Sequence, residues 1–344
     1  MLQANEKFFE RCFQLASLGG RHTRPNPNVG AVIVYKDRII GEGYHRRYGE
    51  AHAEVNAVQN VHEEDAQYLP LSTIYVSLEP CYHFGKTPPC VDLILAHRIP
   101  TVCIALSDPF AKVNGKSIQK LRDHGVEVHV RIPKDDAIDT IAEFATIQKH
   151  NRPFIQLKFA KSRYNYIGKE GYQVKLTSEV TDTYTHSLRA YTDGILIGTK
   201  TVAIDDPRLT LRRYPGMQPT RIILDRRESL DKNLQIISDD IPTMIITEVG
   251  KFADDTKNDI IYLDFSSNTL LDSLMKELLK RKIYHLTVEG GATLLHSFID
   301  EELWDEAVVI QTENELSEGK EAPNVSGRLY QERFFGSDTV RIIR

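Results

Sequence analysis

The sequence predicts an α/β protein of two domains in series, and three features carry that expectation. Its 344 residues exceed what one hydrophobic core of ordinary size organises. Short β-branched runs alternate with helical apolar stripes along most of the chain, the pattern of sheets covered by helices. A helical pattern ending at His150 is broken by Asn151-Arg152-Pro153, after which the alternation starts again. The boundary is placed there, giving segments 1–150 and 151–344.

Phe8, Phe9, Cys12, Leu15 and Ala16 mark one face of a helix over residues 3–18, which stops at Gly19-Gly20. Prolines in Arg24-Pro25-Asn26-Pro27-Asn28 hold an extended loop, and a hairpin follows: strand 29–35, turn Lys36-Asp37, strand 38–43. Residues 52–61 read as a helix with His52 in its first turn, and 73–78 as a strand that delivers Glu79-Pro80-Cys81. Helices at 88–97, 117–124 and 135–150, with strands at 101–106 and 126–130, complete the first domain. In the second, strands are predicted at 154–159, 194–197, 221–224, 243–247, 260–263 and 285–288, with helices at 179–191, 269–281 and 292–299. No element is predicted beyond Ile299, and residues 313–326 read as loosely structured.

A net charge of −5 provides no electrostatic footprint for a nucleic-acid backbone, so a small molecule is the more natural partner. The chain has neither an apolar run of about 18 residues nor a charged-then-apolar leader, so no membrane span or secretory signal is predicted, and the expected location is cytoplasmic. Four cysteines make no disulfide framework. Two fall in a metal pattern, and Cys12 and Cys103 are expected to be reduced core residues. A homo-oligomer is the default for a soluble enzyme.

Two short stretches read as one site: His52-Ala53-Glu54, and Glu79-Pro80-Cys81 with Cys90. An imidazole and two thiolates hold one zinc ion as three corners of a tetrahedron and leave the fourth corner open to water. Such a water is a nucleophile near neutral pH when a carboxylate relays its proton, and Glu54 is placed for that role. H-x-E with P-C-x-x-C is the signature of zinc nucleobase deaminases, in which the glutamate is acid and base and not a ligand. Here the eight residues from Tyr82 to Pro89 separate the cysteines instead of two. A helix starting after Pro88-Pro89 puts Cys90 near an N-terminus that stabilises a thiolate, and the insert becomes a loop over the pocket. The plainer alternative is a helix-face histidine and two buried thiols, which leaves the compound pattern to chance.

The second domain carries two further clusters. Val288-Glu289-Gly290-Gly291-Ala292-Thr293 runs from a strand through glycines into a helix, which brings backbone N–H groups close to a phosphate or is simply a tight connection. Between Gly198 and Arg212, a threonine, paired aspartates and arginines follow a buried strand. They suit a sugar and a phosphate beyond a strand's carboxyl end, or form a solvated loop with a helix cap.

Together these residues resemble the bifunctional riboflavin-biosynthesis deaminase/reductase family over nearly the whole chain. Pro25-Asn26-Pro27-Asn28-Val29-Gly30, Gly41-Glu42-Gly43-Tyr44-His45, His52-Ala53-Glu54, and Glu79-Pro80-Cys81 with His83, Gly85, Lys86 and Thr87-Pro88-Pro89-Cys90 are similar to its deaminase motifs. The long intercysteine loop belongs to that branch. The resemblance implies a cytidine-deaminase-like three-layer first domain and a dihydrofolate-reductase-like second domain. It implies zinc-dependent hydrolytic deamination of a diaminopyrimidinone carrying a ribosylamino 5′-phosphate, followed by NADPH-dependent reduction of ribosyl to ribityl. His52, Cys81 and Cys90 would hold zinc, Glu54 would be catalytic, and Asn26, His45, His83 and Lys86 would contact the substrate. In the second domain, Ala160, Lys175, Thr201, Asp205 and Gly291 would bind the cofactor, and Arg189, Leu209, Arg212 and Glu289 the substrate.

Two departures stand out. Ser162-Arg163-Tyr164-Asn165 replaces a Ser-Leu-Asp-Gly-like stretch, which bears on a tight turn. Lys175 stands where the family usually has a tryptophan, which removes a stacking surface. A deaminase with a weak or lost reductase is therefore one alternative. The others are a deaminase of another nucleoside or nucleic-acid base, and a non-catalytic nucleotide-binding protein whose structural zinc would want four protein ligands.

Overall fold

The computed structural model describes residues 5–84, 88–108, 115–132, 134–250, 257–267 and 269–344, so Lys86 lies outside the described residues. The chain forms two compact units, Met1–His150 and Asn151–Arg344. Among the described residues no helix is long and apolar enough to cross a membrane.

The first unit runs α1 (Glu6–Ser17), β1 (Gly30–Tyr35), β2 (Arg38–Tyr44), α2 (Ala53–Gln59), β3 (Thr73–Val76), α3 (Cys90–Ala96), β4 (Thr101–Ile104), α4 (Lys116–Asp123), β5 (Glu127–Val130) and α5 (Asp135–His150). Among the described residues its sheet has five strands in the order β2-β1-β3-β4-β5, antiparallel around β1 and parallel from β3 onward. Side chains alternate across a strand, and β1 shows the consequence. Ala31 and Ile33 pack with Ala53 and Ala57 of α2, Val91 and Ile94 of α3 and Leu121 of α4. Val32 and Val34 pack with Phe8, Phe9 and Cys12 of α1 and Ala137 of α5. The result is three layers, with the sheet in the middle.

Two glycines set how α2 lies on β2. A Cβ at Gly43 would stand 2.4 Å from the Ala57 backbone nitrogen, and one at Gly41 would stand 2.4 Å from the Ala57 carbonyl oxygen. The Gly-Glu-Gly spacing thus lets helix backbone rest directly on strand backbone. At the hairpin, Lys36 and Asp37 both take left-handed conformations, φ 47° and 62°, as a two-residue turn of right-twisted strands requires. His52 departs slightly from expectation. It is the N-cap of α2, with extended backbone at φ −72° and ψ 167°, and only its carbonyl joins the helix by accepting from the Asn56 amide.

The second unit runs β6 (Phe154–Lys161), β7 (Tyr166–Gly168), α6 (Glu179–Tyr191), β8 (Gly194–Gly198), α7 (Thr199–Asp205), β9 (Thr220–Leu224), α8 (Gln235–Ser238), β10 (Thr243–Thr247) and β11 (Asp259–Tyr262). It continues with α9 (Leu270–Lys280), β12 (His285–Gly290), α10 (Ala292–Asp300), β13 (Glu306–Gln311), β14 (Lys320–Glu321), β15 (Leu329–Phe335) and β16 (Asp338–Ile343). Among the described residues, nine strands form one sheet in the order β11-β10-β9-β8-β12-β6-β13-β16-β15. It is parallel from β11 to β13 and antiparallel at β16 and β15. Leu274 and Leu278 of α9 and Leu295 and Phe298 of α10 cover one face. Val202 of α7 and Ile236 of α8 cover the other, where Ile195, Ile197 and Ile223 point.

Two expectations are corrected here. The stretch after Gly198 is not wholly loop: Thr199–Asp205 is helical, and Asp206 ends it at φ 37°. Strands also exist beyond Ile299. Glu306–Gln311 is a central strand between β6 and β16, whereas β15 is an edge strand whose exposed Leu329 and Phe334 interrupt the alternation that marks a half-buried strand.

Candidate active sites

In the first unit three elements converge on one point. The N-cap of α2 supplies His52, the segment after β3 supplies Cys81, and the first residue of α3 is Cys90. His52 Nδ1 lies 3.5 Å from Cys81 Sγ and 3.4 Å from Cys90 Sγ, and the three donor atoms lie within 4.8 Å of one another. A tetrahedral zinc with Zn–N of about 2.0 Å and Zn–S of about 2.3 Å holds such atoms roughly 3.5 Å apart. The donor set therefore fits zinc in kind and in spacing.

The electrostatics agree. A hydrogen bond from the Cys90 thiol, reinforced by His52, lowers Cys81 to about 4, so Cys81 is the thiolate and Cys90 keeps the proton that a cation would displace. The Cys90 amide also donates to Cys81 Sγ at 3.2 Å. His52 is raised, chiefly by its hydrogen bond to Cys81. Glu54, buried in the first turn of α2, is raised by burial first and by the Cys81 thiolate second, which favours a carboxyl able to carry a proton.

A cavity of about 380 Å³ opens beside these groups. Asn26, His45, His52, Glu54, Cys81 and His83 all line it. His45 Nδ1 bonds to the Ala51 carbonyl at 3.1 Å, so that nitrogen carries the proton and Nε2 accepts from Asn26 Nδ2 at 3.2 Å. This leaves the Asn26 carbonyl oxygen available to a donor on a ligand. Burial lowers the His45 pKa and keeps the ring neutral.

Phe144, which the sequence did not single out, and Glu79, which it placed in the motif without a role, also line the cavity. Buried Glu79 accepts from the Asp108 and Gly115 amides and from the Ser117 hydroxyl, and so anchors the segment leading to Cys81. A glutamate just before Pro-Cys was a usable signal. Phe144, on α5, carried none.

In the second unit the carboxyl ends of β9, β8, β12 and β6 lie side by side, the usual ligand position of an open parallel sheet. A cavity of about 710 Å³ there is lined by Ala160, Lys175, Thr201, Asp205, Gly291, Arg189, Arg212 and Glu289. Leu209 is the correction: it does not line this cavity, and its side chain is buried with Ile195, Ile197 and Val202, because an isobutyl group gains more in the core than beside cations. Gly291 sits in close approach to α7: a Cβ would stand 2.8 Å from Thr201 Oγ1, so the Thr201 side chain would have to turn away. Its neighbour Gly290 takes φ 103°, a conformation that glycine tolerates.

Charge pairs shape this cavity. Arg189 donates twice to Glu289, both at 2.9 Å, and the Lys158 ammonium stands 3.9 Å from the same carboxylate. Burial pushes Glu289 up, but Arg189 and Lys158 outweigh it and hold it at about 2. Burial lowers Lys158. Farther along, burial and then Arg189, Arg208 and Arg213 lower Arg212, and burial with Arg189 and Arg212 pushes His186 down to about 4. His186 Nδ1 accepts the Arg212 amide at 3.1 Å, consistent with a neutral ring. Excess cation here suits an anionic ligand group.

A third cavity, of about 580 Å³, shares Lys200, Thr201, Gly291 and Lys320 with the second and extends to Arg226 and Arg227. Arg226 and Arg227, just past Asp225 at the end of β9, satisfied the strand-end rule and were overlooked. At the first departure the turn is kept: Asn165 takes φ 71°, its amide donates to the Ser162 carbonyl at 3.0 Å, and asparagine tolerates this region better than most residues. At the second, Lys175 pairs with Asp182 at 3.2 Å, and an aromatic ring reaches the cavity from Tyr172 instead.

Comparison with known proteins accounts for both units. Residues 2–106 match the cytidine and deoxycytidylate deaminase zinc-binding region, and residues 153–312 match the RibD C-terminal domain. The riboflavin biosynthesis protein RibD of Aquifex aeolicus is 35% identical over 321 residues, covering 92% of this chain and 89% of that protein. The chain belongs to the RibD family. It joins a zinc deaminase domain to a reductase domain, acts in riboflavin biosynthesis through both activities, and uses zinc and NADPH. Among solved structures, the diaminohydroxyphosphoribosylaminopyrimidine deaminase/5-amino-6-(5-phosphoribosylamino)uracil reductase of Thermotoga maritima is 30% identical, with a TM-score of 0.88 and 98% of each chain covered. Acinetobacter baumannii RibD, form 1, is 29% identical, with a TM-score of 0.85 and 98% of each chain covered.

Proposed function

We propose that residues 1–150 convert 2,5-diamino-6-(5-phosphoribosylamino)pyrimidin-4-one to its deaminated product, and that residues 151–344 then reduce the ribosyl group to ribityl with NADPH. The observation that carries this reading is the donor triangle of His52, Cys81 and Cys90 with buried Glu54 beside it in one cavity. The three donors hold zinc, which when bound supplies the Lewis acidity that makes water a nucleophile near neutral pH. Glu54 takes a proton from the attacking water and returns it to the pyrimidine, so that the amino group departs as ammonia. The Asn26 carbonyl, fixed by the hydrogen bond to His45, accepts from the pyrimidine edge. His83 on the intercysteine loop, with Lys86, meets the phosphate.

In the second unit Thr201, Asp205, Gly291, Ala160 and Lys175 hold NADPH, and Arg189, Arg212 and Glu289 hold the deaminated substrate. The cation-rich end at Arg212 takes its phosphate. Three protein donors within reach, not four, disfavour a structural zinc among the described residues. The net charge of −5 disfavours a nucleic-acid substrate. We also infer a cytoplasmic homo-oligomer, on the need for reduced metal-binding cysteines and the symmetry habit of soluble enzymes.

One assay tests the whole reading. Purified protein is incubated with the pyrimidine phosphate, with and without NADPH, while ammonia and NADPH are followed. Ammonia should appear without NADPH, and NADPH should be consumed only once deaminated product exists. Deamination of cytidine or single-stranded DNA in place of the pyrimidine phosphate would overturn the first step. A lack of NADPH oxidation with authentic deaminated substrate would overturn the second.

A further inference from the structure

Helix α5 lies beyond the stretch that matches the zinc-binding region, yet it reaches the deaminase cavity directly through Phe144 and indirectly through Glu143. Phe144 lines the cavity directly. Glu143 accepts from Arg24 Nε and Nη2 at 2.5 and 2.6 Å, and Arg24 stands two residues before Asn26. The Arg24 side chain is only 4% exposed, so its charge depends on a partner brought to it. The Asn26 amide donates to the Thr23 carbonyl at 2.9 Å, which closes a turn around Arg24. Asn26 Nδ2 then donates to His45 Nε2. A displacement of Arg24 therefore carries Asn26 with it, whereas the donor triangle is held by the N-cap of α2, the segment after β3 and the start of α3.

We propose that Glu143 and Phe144 form a positioning and specificity element for the deamination. Glu143 acts through Arg24 to hold the turn that carries Asn26, and Phe144 supplies the apolar wall for the pyrimidine ring. The inference rests on the deaminase reading above. It makes α5 part of the active site and not only a connector.

The test uses the full chain loaded with zinc. Glu143→Ala should raise the KM for the pyrimidine phosphate about tenfold or more, with kcat within about twofold, because a misplaced binding group spoils capture before it spoils the chemistry. Zinc content and NADPH-dependent turnover of the deaminated substrate should not change. Phe144→Ala should raise the same KM, and Phe144→Tyr should restore it. Should Glu143→Ala fail to fold, the double replacement of Arg24→Met with Glu143→Met removes both charges of this pair and carries the same expectation. Unchanged KM in folded variants, or a KM that moves only together with zinc content, overturns the proposal while leaving the deaminase reading intact. Failure of the unaltered chain to release ammonia sinks that reading and this inference with it.

Discussion

In the first unit the chemistry is concentrated in donor atoms within 4.8 Å of one another, delivered by an N-cap, a strand end and the first residue of a helix. In the second unit the cavity is lined by charges that already face each other, with Arg189 bonded to a Glu289 that is 100 residues away in sequence. The first site has donors in place for one added cation. The second holds a neutralised pair, Arg189 with Glu289, amid an excess of cations that includes Lys200, Arg212, Arg213 and Lys320. A metal centre therefore depends on a few backbone positions, while a cofactor trough depends on an ion-pair network spread over several strands. Different substitutions should break them.

The largest expected effect is at Glu54. Glu54→Gln keeps size and burial but cannot carry the proton, so deamination should fall by about 10²–10⁴-fold, the range for losing a general acid or base. Zinc content and NADPH oxidation with deaminated substrate should hold. A variant that still deaminates at full rate would remove Glu54 from the mechanism, and loss of both activities would dissolve the contrast between the units.

Glu289→Gln addresses the other unit. Removing one partner from a buried ion pair costs about 3–5 kcal/mol, because Arg189 and Lys158 are left facing a neutral group. Denaturant unfolding of the full chain should show the second unit losing stability while deamination persists. Acid gives an independent check. The Glu289 pKa is depressed from an ordinary 4.5 to about 2, so its contribution is complete above pH 4.5 and is lost as pH falls toward 2. Linkage puts that contribution on the order of 3 kcal/mol, and it should vanish from the acid profile of Glu289→Gln.

The same contrast explains what could be read from the sequence. His52 and Glu54 are two residues apart, and Pro80-Cys81 is contiguous, so the metal centre could be read from short stretches of chain. In the second cavity the stretches around Asp205 and Gly291 stood out locally, but the pairing of Arg189 with Glu289 did not, because the two are 100 residues apart. Lys158 was a missed local clue, a lysine inside an apolar strand that has to face a carboxylate or a cavity. Phe144 was invisible, since an aromatic on an amphipathic helix reads as core. Elements followed the same rule. Helix α6 and the wholly buried apolar run of β10 match expectation, whereas edge strand β15 has its long apolar side chains in solvent and shows no alternation.

Gly43→Ala sharpens the comparison at lower energy. Its new methyl group would meet the Ala57 backbone at 2.4 Å, so α2 has to move off β2, an overpacking cost of about 1–3 kcal/mol. Because α2 carries His52 and Glu54, deaminase kcat should fall along with stability of the first unit, and the reductase should be spared. A full-rate deaminase in Gly43→Ala would mean that the helix seat does not position the site.

The smallest effect is expected at Lys175, where the two units differ most in tolerance. Its ammonium pairs with Asp182 at 3.2 Å, but the side chain is 62% exposed, so the pair contributes little. Lys175→Trp exchanges that weak pair for an aromatic face at the cavity edge, and a stacked ring contributes about 0.5–1.5 kcal/mol. The KM for NADPH should therefore fall by roughly two- to tenfold, with deamination untouched. Asn165→Gly, at a position already left-handed, should leave both activities where they are and so separates the second departure from the first. An unchanged KM in Lys175→Trp would show that Tyr172, three residues earlier, already supplies the ring the cofactor needs, and Tyr172→Ala should then raise that KM.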